Sequence, residues 1–308
     1  MKNRAFSLAT LCFVFALCLT IPAAASTVAG TFQRNLTVNG PVDLEVLTHS
    51  GDVHVHAGSS GSVAISAKIY VGNRWFTSDR RADVAEVEKN PPIRQSGNTI
   101  RIDYPNIHDL AIDYDVTVPA ETTVRVHSGS GDQTIDGIRG AVTLEAGSGD
   151  IRLSDVQSQM RVHTGSGNVT AENVSGGFTA ECGSGDVEVE EKGSGDVQMH
   201  TGSGNVHARG VRGALRAEAG SGDVTVEGQQ TGGWEVRTGS GNVDIRVPQD
   251  SAFDLDASTS SGSLVVDHPV TMTIQGNVEH EKRSARGKVR GGGPSMMVHT
   301  GSGDIHIG

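Results

Sequence analysis

The stretch GSGDIRLSDVQSQMRVHTGSGN, Gly147–Asn168, contains one full unit of the repeat that organises this chain. A Gly-Ser-Gly motif followed by Asp or Asn recurs in steps of 18 or 19 residues. Its final residues are Asp132, Asp150, Asn168, Asp186, Asn205, Asp223 and Asn242. Such spacing is typical of stacked units that are each too small to bury their own apolar face.

The residues between two motifs predict two short strands. Ile151 and Leu153 alternate with polar residues after one motif, and Met160, Val162 and Thr164 alternate before the next. A period of two places each set on one face of a strand. We therefore predict an all-β, single-chain β-solenoid, β-helix- or β-roll-like, with coils of about 18 residues. Its coils should pair in parallel at about 4.8 Å.

The chain divides into four predicted parts: a signal peptide (1–25), an irregular N-terminal β region (26–125), regular repeats (126–262) and a C-terminal capping region with a basic loop (263–308). The signal is predicted from Lys2 and Arg4, the apolar run from 5 to 21, and a small-residue cleavage site at 23–25. Apolar spacing over 78–89 predicts the one short helix, ended by Pro91 and Pro92.

Composition limits the classes of function. Removal of the signal leaves 23 of the 25 basic residues against 36 acidic ones, a net charge of −13. This charge argues against a nucleic-acid partner. No apolar run after residue 25 is long enough to span a membrane. Cys182 is the only cysteine outside the signal, so no internal disulfide is expected, and its inward column predicts a buried, inert thiol.

Two polar columns alternate in charge. Asp alternates with Asn in the motif from Asp150 onward, and Glu alternates with His or Arg five places earlier, beginning with Glu145 and His163. We interpret both as structural ladders that avoid stacking like charges. A calcium-binding β-roll is the alternative for the Asp column. Such a roll requires an acid in every half-coil, but here the second half of each coil lacks the motif, except at Asp196.

The candidate ligand site is a cluster of basic residues before a Gly-rich segment, predicted either to contact an anionic envelope component or to be a solvated loop. It consists of Lys282, Arg283, Arg286, Lys288 and Arg290. His54 and His56 share an outward face, so a weak surface metal site is geometrically possible, with solvated surface histidines as the alternative. No carboxylate or cysteine framework completes the site, so no metal or other cofactor is predicted. Trp75 and Phe76 are candidates for an exposed aromatic contact, with packing in a local core as the alternative.

No catalytic residue is predicted. The Gly-Ser-Gly turns lack the Lys-Ser/Thr of a phosphate-binding loop, and they recur in every coil, unlike a nucleophile elbow.

The order of motifs resembles a known family. Val-Pro-Ala-Glu-Thr (118–122) precedes the first complete GSGD, the GSGD/GSGN coils follow, and Arg-Gly-Gly-Gly-Pro (290–294) leads to a last TGSGDI (300–305). From about residue 30 to 308 the chain is similar to the bacterial putative-adhesin domain of unknown function, a GSGD/GSGN-repeat family of cell-envelope proteins. The resemblance implies a β-solenoid and an envelope location, and it supplies no catalytic residues.

The leading hypothesis is an exported, non-enzymatic, adhesin-like solenoid that presents polar faces to unidentified glycans or proteins of the cell envelope or surface. It would be periplasmic, surface-bound or secreted. One alternative is a periplasmic structural or envelope-stress scaffold without a specific ligand. The other is a polysaccharide-processing β-helix enzyme, which usually requires a side cleft with clustered catalytic groups.

Overall fold

The computed structural model describes residues 28–71, 80–105, 110–271 and 283–308. The predicted signal peptide, Trp75, Phe76 and Lys282 lie outside these residues.

The described residues form one short helix and many strands, as an all-β repeat requires. The elements are β1 (Val28–Thr37), β2 (Asp43–Ser50), β3 (Val53–Gly58), β4 (Ser62–Val71), α1 (Arg81–Lys89), β5 (Ile93–Ser96), β6 (Thr99–Ile102), β7 (Leu110–Pro119), β8 (Thr123–Ser130), β9 (Gln133–Asp136), β10 (Val142–Ser148), β11 (Ile151–Ser154), β12 (Met160–Ser166), β13 (Val169–Val174), β14 (Phe178–Ser184), β15 (Val187–Glu191), β16 (Val197–Ser203), β17 (Val206–Val211), β18 (Leu215–Ser221), β19 (Val224–Gly228), β20 (Trp234–Ser240), β21 (Val243–Arg246), β22 (Phe253–Ser261), β23 (Leu264–Val266), β24 (Val270–Thr271), β25 (Ser284–Val289), β26 (Ser295–Ser302) and β27 (Ile305–Ile307).

The repeats build two facing parallel sheets. Within the described residues, sheet A has 13 strands in the order β1-β4-β7-β3-β9-β11-β13-β15-β17-β19-β21-β27-β23. Sheet B has 14 strands in the order β24-β25-β22-β26-β20-β18-β16-β14-β12-β10-β8-β2-β6-β5. Each repeat adds one strand to each sheet, and parallel partners such as Val142 and Met160 are one unit apart in sequence. The predicted β-solenoid is confirmed.

The core is the space between the two sheets, filled by the inward columns. The large side chains of Phe178 and Trp234 are fully buried, and Trp234 Nε1 donates a hydrogen bond to the Gly213 carbonyl at 3.1 Å. Cys182 is buried, as predicted, and its Sγ donates to the Gly167 carbonyl at 3.2 Å. Burial raises the pKa of this thiol, so little reactive thiolate is present at neutral pH.

The N-terminal end is closed by antiparallel strands and by the helix. β1 and β7 pair antiparallel with β4, and α1 packs against β1. Val84 and Val87 are the buried side chains of α1, and Gly30 allows Val84 to approach β1, because a Cβ there would lie 2.4 Å from Val84 Cγ1. The helix predicted over 78–89 is observed from Arg81 to Lys89, with residues 72–79 outside the described part.

The last coil along the chain lies inside the stack and not at its end. β26 pairs with β20 on one side and β22 on the other, and β27 lies between β21 and β23 in the same way. Of the predicted capping region 263–308, only β23, β24 and β25 lie at the end of the stack. The final GSGD motif therefore continues the regular stack, and the stack ends at Ser261-Gly262-Ser263, where Ser replaces the Asp or Asn of the motif.

Candidate functional site

The Asp/Asn column is a hydrogen-bonded ladder that joins the coils. Beginning with Asp132, the residue at the last position of each motif donates its backbone N–H to Oδ1 of the Asp or Asn in the coil before it in the stack. The donor–acceptor pairs are Asp132–Asp52, Asp150–Asp132, Asn168–Asp150, Asp186–Asn168, Asn205–Asp186, Asp223–Asn205, Asn242–Asp223, Asp304–Asn242 and Ser263–Asp304, at 2.7–2.9 Å. The side chains of this column thus have a structural role, and their alternation separates the carboxylates along most of the ladder.

A charge variant tests this ladder. Changing Asn168, Asn205 and Asn242 together to Asp keeps every Oδ1 acceptor but places carboxylates next to each other at about 4.8 Å, so we expect a lower melting temperature. The loss should shrink at high salt, because these side chains are largely exposed. The matched control changes Asp150, Asp186 and Asp223 to Asn and should melt no lower than wild type. Equal melting temperatures of wild type and both variants would show that repulsion between neighbouring carboxylates does not affect stability.

The second alternating column lies on the outer face of sheet B. His127 Nδ1 lies 3.0 Å from Glu145 Oε2, His163 Nδ1 lies 3.5 Å from Glu181 Oε2, and His200 Nδ1 lies 3.7 Å from Glu218 Oε2. These exposed pairs each stabilise the protein weakly. They give the face a mixed polar surface of both charge signs.

The basic cluster is organised differently from the predicted loop. Residues 284–289 form β25, antiparallel to β22, so the interpretation of this segment as a loop is wrong. The pairing sets two basic side chains opposite acids: Arg286 contacts Asp256 at 2.5 Å, and Lys288 contacts Asp254 at 3.0 Å. Lys288 accordingly lowers the pKa of the Asp254 carboxyl.

The other two described members of the cluster donate to backbone carbonyls. Arg283 contacts Ser260 at 3.3 Å, and Arg290 contacts Gln249 at 2.8 Å. Pairing with acids across the β22–β25 strands and contacts with backbone carbonyls thus account structurally for the four described basic residues. Contact with an anionic ligand stays a prediction.

A His-His-Asp cluster lies on the outer face of sheet A. His54 is opposite Asp115 in the parallel pair β3–β7, and His56 follows on the same face. The Nδ1 atoms of His54 and His56 lie 3.9 and 3.4 Å from the Asp115 carboxylate oxygens. The expectation that no carboxylate completes these histidines is wrong, because a strand 61 residues along the chain supplies one.

Two grooves lie near the N-terminal end of the solenoid. One, of about 350 Å³, begins beside the histidine cluster and is lined by Gln33, Arg34, Asn35, Ala64, Ile65, Ser66, Asp115 and Thr117. The other, of about 610 Å³, lies beside α1 and is lined by residues that include Arg94, Asp103 and Tyr104. The exposed Tyr104 ring stacks on His49 with ring centroids 4.3 Å apart.

Glu191 is a buried acid that the repeat pattern did not single out. Neighbouring coils have a buried valine at this corner, namely Val156, Val174 or Val211, and Glu191 lies opposite Val174 in the pair β13–β15. Only 3% of the Glu191 surface is exposed. Neither carboxylate oxygen makes a hydrogen bond of normal geometry, although the Gly195 N–H lies close enough to favour the ionised form. Burial raises the pKa of Glu191 to about 7, only partly opposed by the Gly195 N–H. A carboxyl in this position is a source of instability, not a feature of an open catalytic cleft.

The fold and its surfaces define the class of protein: a capped, two-sheet β-solenoid with polar outer faces. Its sequence matches the family model described as Toastrack DUF4097 over residues 19–308, so the chain belongs to that family, a domain of unknown function. None of the curated proteins compared with the chain matches it. No helix in the described parts of the chain has the length and apolar character needed to cross a membrane.

Three solved structures are similar to the chain. A putative cell adhesion protein from Clostridium sporogenes ATCC 15579 is 12% identical, with 90% of this chain and 98% of that chain covered and a TM-score of 0.28. A putative adhesin from Bacteroides fragilis NCTC 9343 is 16% identical, with 90% and 96% covered and a TM-score of 0.39. One from Parabacteroides distasonis ATCC 8503 is 9% identical, with 90% and 97% covered and a TM-score of 0.35.

Proposed function

We propose that this protein is an exported, non-enzymatic, adhesin-like module that binds glycans or proteins of the bacterial cell envelope or surface through the outer face of its sheets. The observation that carries the proposal is the long, regular polar face of sheet A. Its outward column includes Thr134, Arg152, Thr170, Glu188, His207, Thr225 and Asp244. A row of polar side chains at a fixed repeat suits an extended or repetitive partner.

The character of the two faces supports binding more than catalysis. Among the described residues, the exposed large apolar side chains are Val28, Tyr104, Val265 and Met297, so the regular repeats between residues 133 and 246 carry none on their faces. The motif carboxylates at the corners accept backbone N–H groups, and several acids on the sheet faces pair with Arg or His. Such occupied carboxylates are poor general acids and bases. The sequence-predicted signal peptide supports export.

Binding to intact bacterial cells and to isolated cell-wall glycan, measured by co-sedimentation of the purified protein, tests this function. One variant, Thr170→Gln with Thr225→Gln, enlarges two side chains on sheet A, and its matched control, Thr143→Gln with Thr179→Gln, does the same on sheet B. We expect saturable binding that falls at least tenfold in the sheet A variant and less than twofold in the control.

The other outcomes separate the remaining hypotheses. No binding to either material would contradict adhesion and favour a structural scaffold in the periplasm. Saturable binding that both variants retain would show that the sheet faces are not the binding surface. Release of soluble sugar from the glycan by the purified protein would favour the polysaccharide-processing alternative.

A further inference from the structure

We propose that His54, His56 and Asp115 bind a divalent transition-metal ion, with Zn²⁺ the best fit, on the outer face of sheet A. The site does not depend on the proposed adhesion, because it rests on the geometry of three side chains at the N-terminal end of the solenoid.

The strand register brings the three ligands together. His54 lies directly opposite Asp115, and His56 lies two residues further along β3, so all three side chains project from the same face. One ligand atom of each lies within 4.8 Å of the others. Tetrahedral zinc with bonds of about 2.0–2.1 Å separates its ligand atoms by roughly 3.3 Å. The His56–Asp115 distance of 3.4 Å fits this value, and small side-chain rotations bring His54 into range.

The hydrogen bonding of the two ring nitrogens of His56 favours metal binding through Nδ1. Its Nε2 lies 2.8 Å from Thr117 Oγ1, while its Nδ1 is shielded from solvent and has no hydrogen-bond partner. If the Nε2 proton is donated to Thr117, Nδ1 carries the free lone pair that a metal requires. A shielded, unpartnered nitrogen costs free energy in the apoprotein, and a bound cation would remove that cost.

The donor set selects the kind of metal. Two imidazoles and one carboxylate suit zinc and neighbouring transition metals, whereas calcium and magnesium prefer oxygen ligands alone. Asp136, opposite His56 in the neighbouring strand β9, adds negative charge close to the cation.

The site is open on one side. The side chains of His54, His56 and Asp115 are 46%, 32% and 58% exposed. Three protein ligands leave a coordination position for water or for a donor atom of a bound molecule. Asp115 and Thr117 also line the 350 Å³ groove, so a molecule lying there would be beside the open position.

Metal binding is measured on protein without a polyhistidine tag, stripped with a chelator and titrated with Zn²⁺ against a chromophoric competitor. We expect one zinc ion per chain with micromolar affinity, and a Co²⁺ complex with visible absorption. His56→Gln and Asp115→Asn should each weaken zinc binding at least tenfold. His299→Gln is the matched control: it is a surface histidine that pairs with Ser258, and its loss should leave zinc binding unchanged.

Thermal melting gives a second measurement that shows whether the variants are folded. Zinc should raise the melting temperature of wild type and of His299→Gln but not of His56→Gln or Asp115→Asn, because a ligand stabilises only the form that binds it. Less than 0.2 zinc ions per wild-type chain would overturn the proposal. So would unchanged affinity in folded His56→Gln and Asp115→Asn proteins. His306 lies between Asp244 and Asp267 on the same sheet, so a loss of binding only in His306→Gln would place the metal there and would also overturn the proposal.

Discussion

Replacing Gly204 with Ala is expected to lower the free energy of unfolding by roughly 3 kcal/mol or more. Gly204 is the second glycine of a GSGN corner and has a φ of +145°, which side chains with a Cβ rarely adopt. A Cβ there would also lie 2.1 Å from the carbonyl oxygen of Gly185 in the neighbouring coil. Hydrogen bonds fix the spacing of the coils, so the corner cannot relax without breaking part of the stack.

Two further substitutions separate the two causes. Gly97→Ala tests positive φ alone, because Gly97 has a φ of +62° and nothing within 4 Å of the added methyl group. Gly183→Ala tests the close contact alone, since its Cβ would lie 2.5 Å from the Gly165 carbonyl oxygen without a positive φ. Urea unfolding should rank Gly204→Ala as the least stable, with Gly97→Ala only about 1–2 kcal/mol less stable than wild type. If Gly204→Ala unfolds at the same urea concentration as Gly97→Ala, close stacking does not constrain the corners.

The regular part of the fold could be predicted from sequence because its determinants are local. Apolar side chains at alternate positions specify the inward columns, and a fixed spacing of corners brings each column into register with the next. Cys182 and Trp234 could therefore be placed in the core by counting from the motif, and both are buried.

The order of the last coils could not be predicted because it depends on contacts between distant segments. The chain reaches Ser263 before Asp304, but in space Asp304 follows Asn242 and Ser263 comes last. The ladder gives a physical reason for this order. Asp304 supplies the Oδ1 that the next coil needs, whereas Ser263 has no such atom and stands where no further described coil needs one.

The candidate metal site could not be predicted either, because it also depends on a contact between distant segments of the chain. His54 and His56 are visible in sequence, but Asp115 joins them only through the pairing of β3 with β7, which belongs to the irregular N-terminal part. β3 follows the ladder residue Asp52, but β7 carries no motif that would predict its register. The burial of Glu191, in contrast, could have been predicted from the sequence. It is the one acid in a column of valines, and the sequence analysis did not single it out.

Replacing Glu191 with Val is expected to stabilise the protein, and to do so more at pH 8 than at pH 5. Valine fits the column of Val156, Val174 and Val211 and removes a buried acid that lacks a hydrogen bond of normal geometry. The pKa of Glu191 is about 7 in the folded protein and near 4.5 in the unfolded chain. The folded state therefore binds more protons between these values, and wild-type stability falls as the pH rises from about 4.5 to 7.

The expected size follows from the pKa difference. At 1.36 kcal/mol per unit, the advantage of Glu191→Val should grow by roughly 2–3 kcal/mol between pH 5 and pH 8, while other titrating groups cancel in the comparison. Thermal unfolding of both proteins at the two pH values measures it. Glu191→Gln should lose the same pH dependence without the full gain in stability, because a buried amide remains. The exposed neighbour provides the control, since Glu190→Gln should keep the wild-type pH dependence. A constant difference between wild type and Glu191→Val at both pH values would show that this carboxyl is already ionised at pH 5, and that the buried corner tolerates its charge.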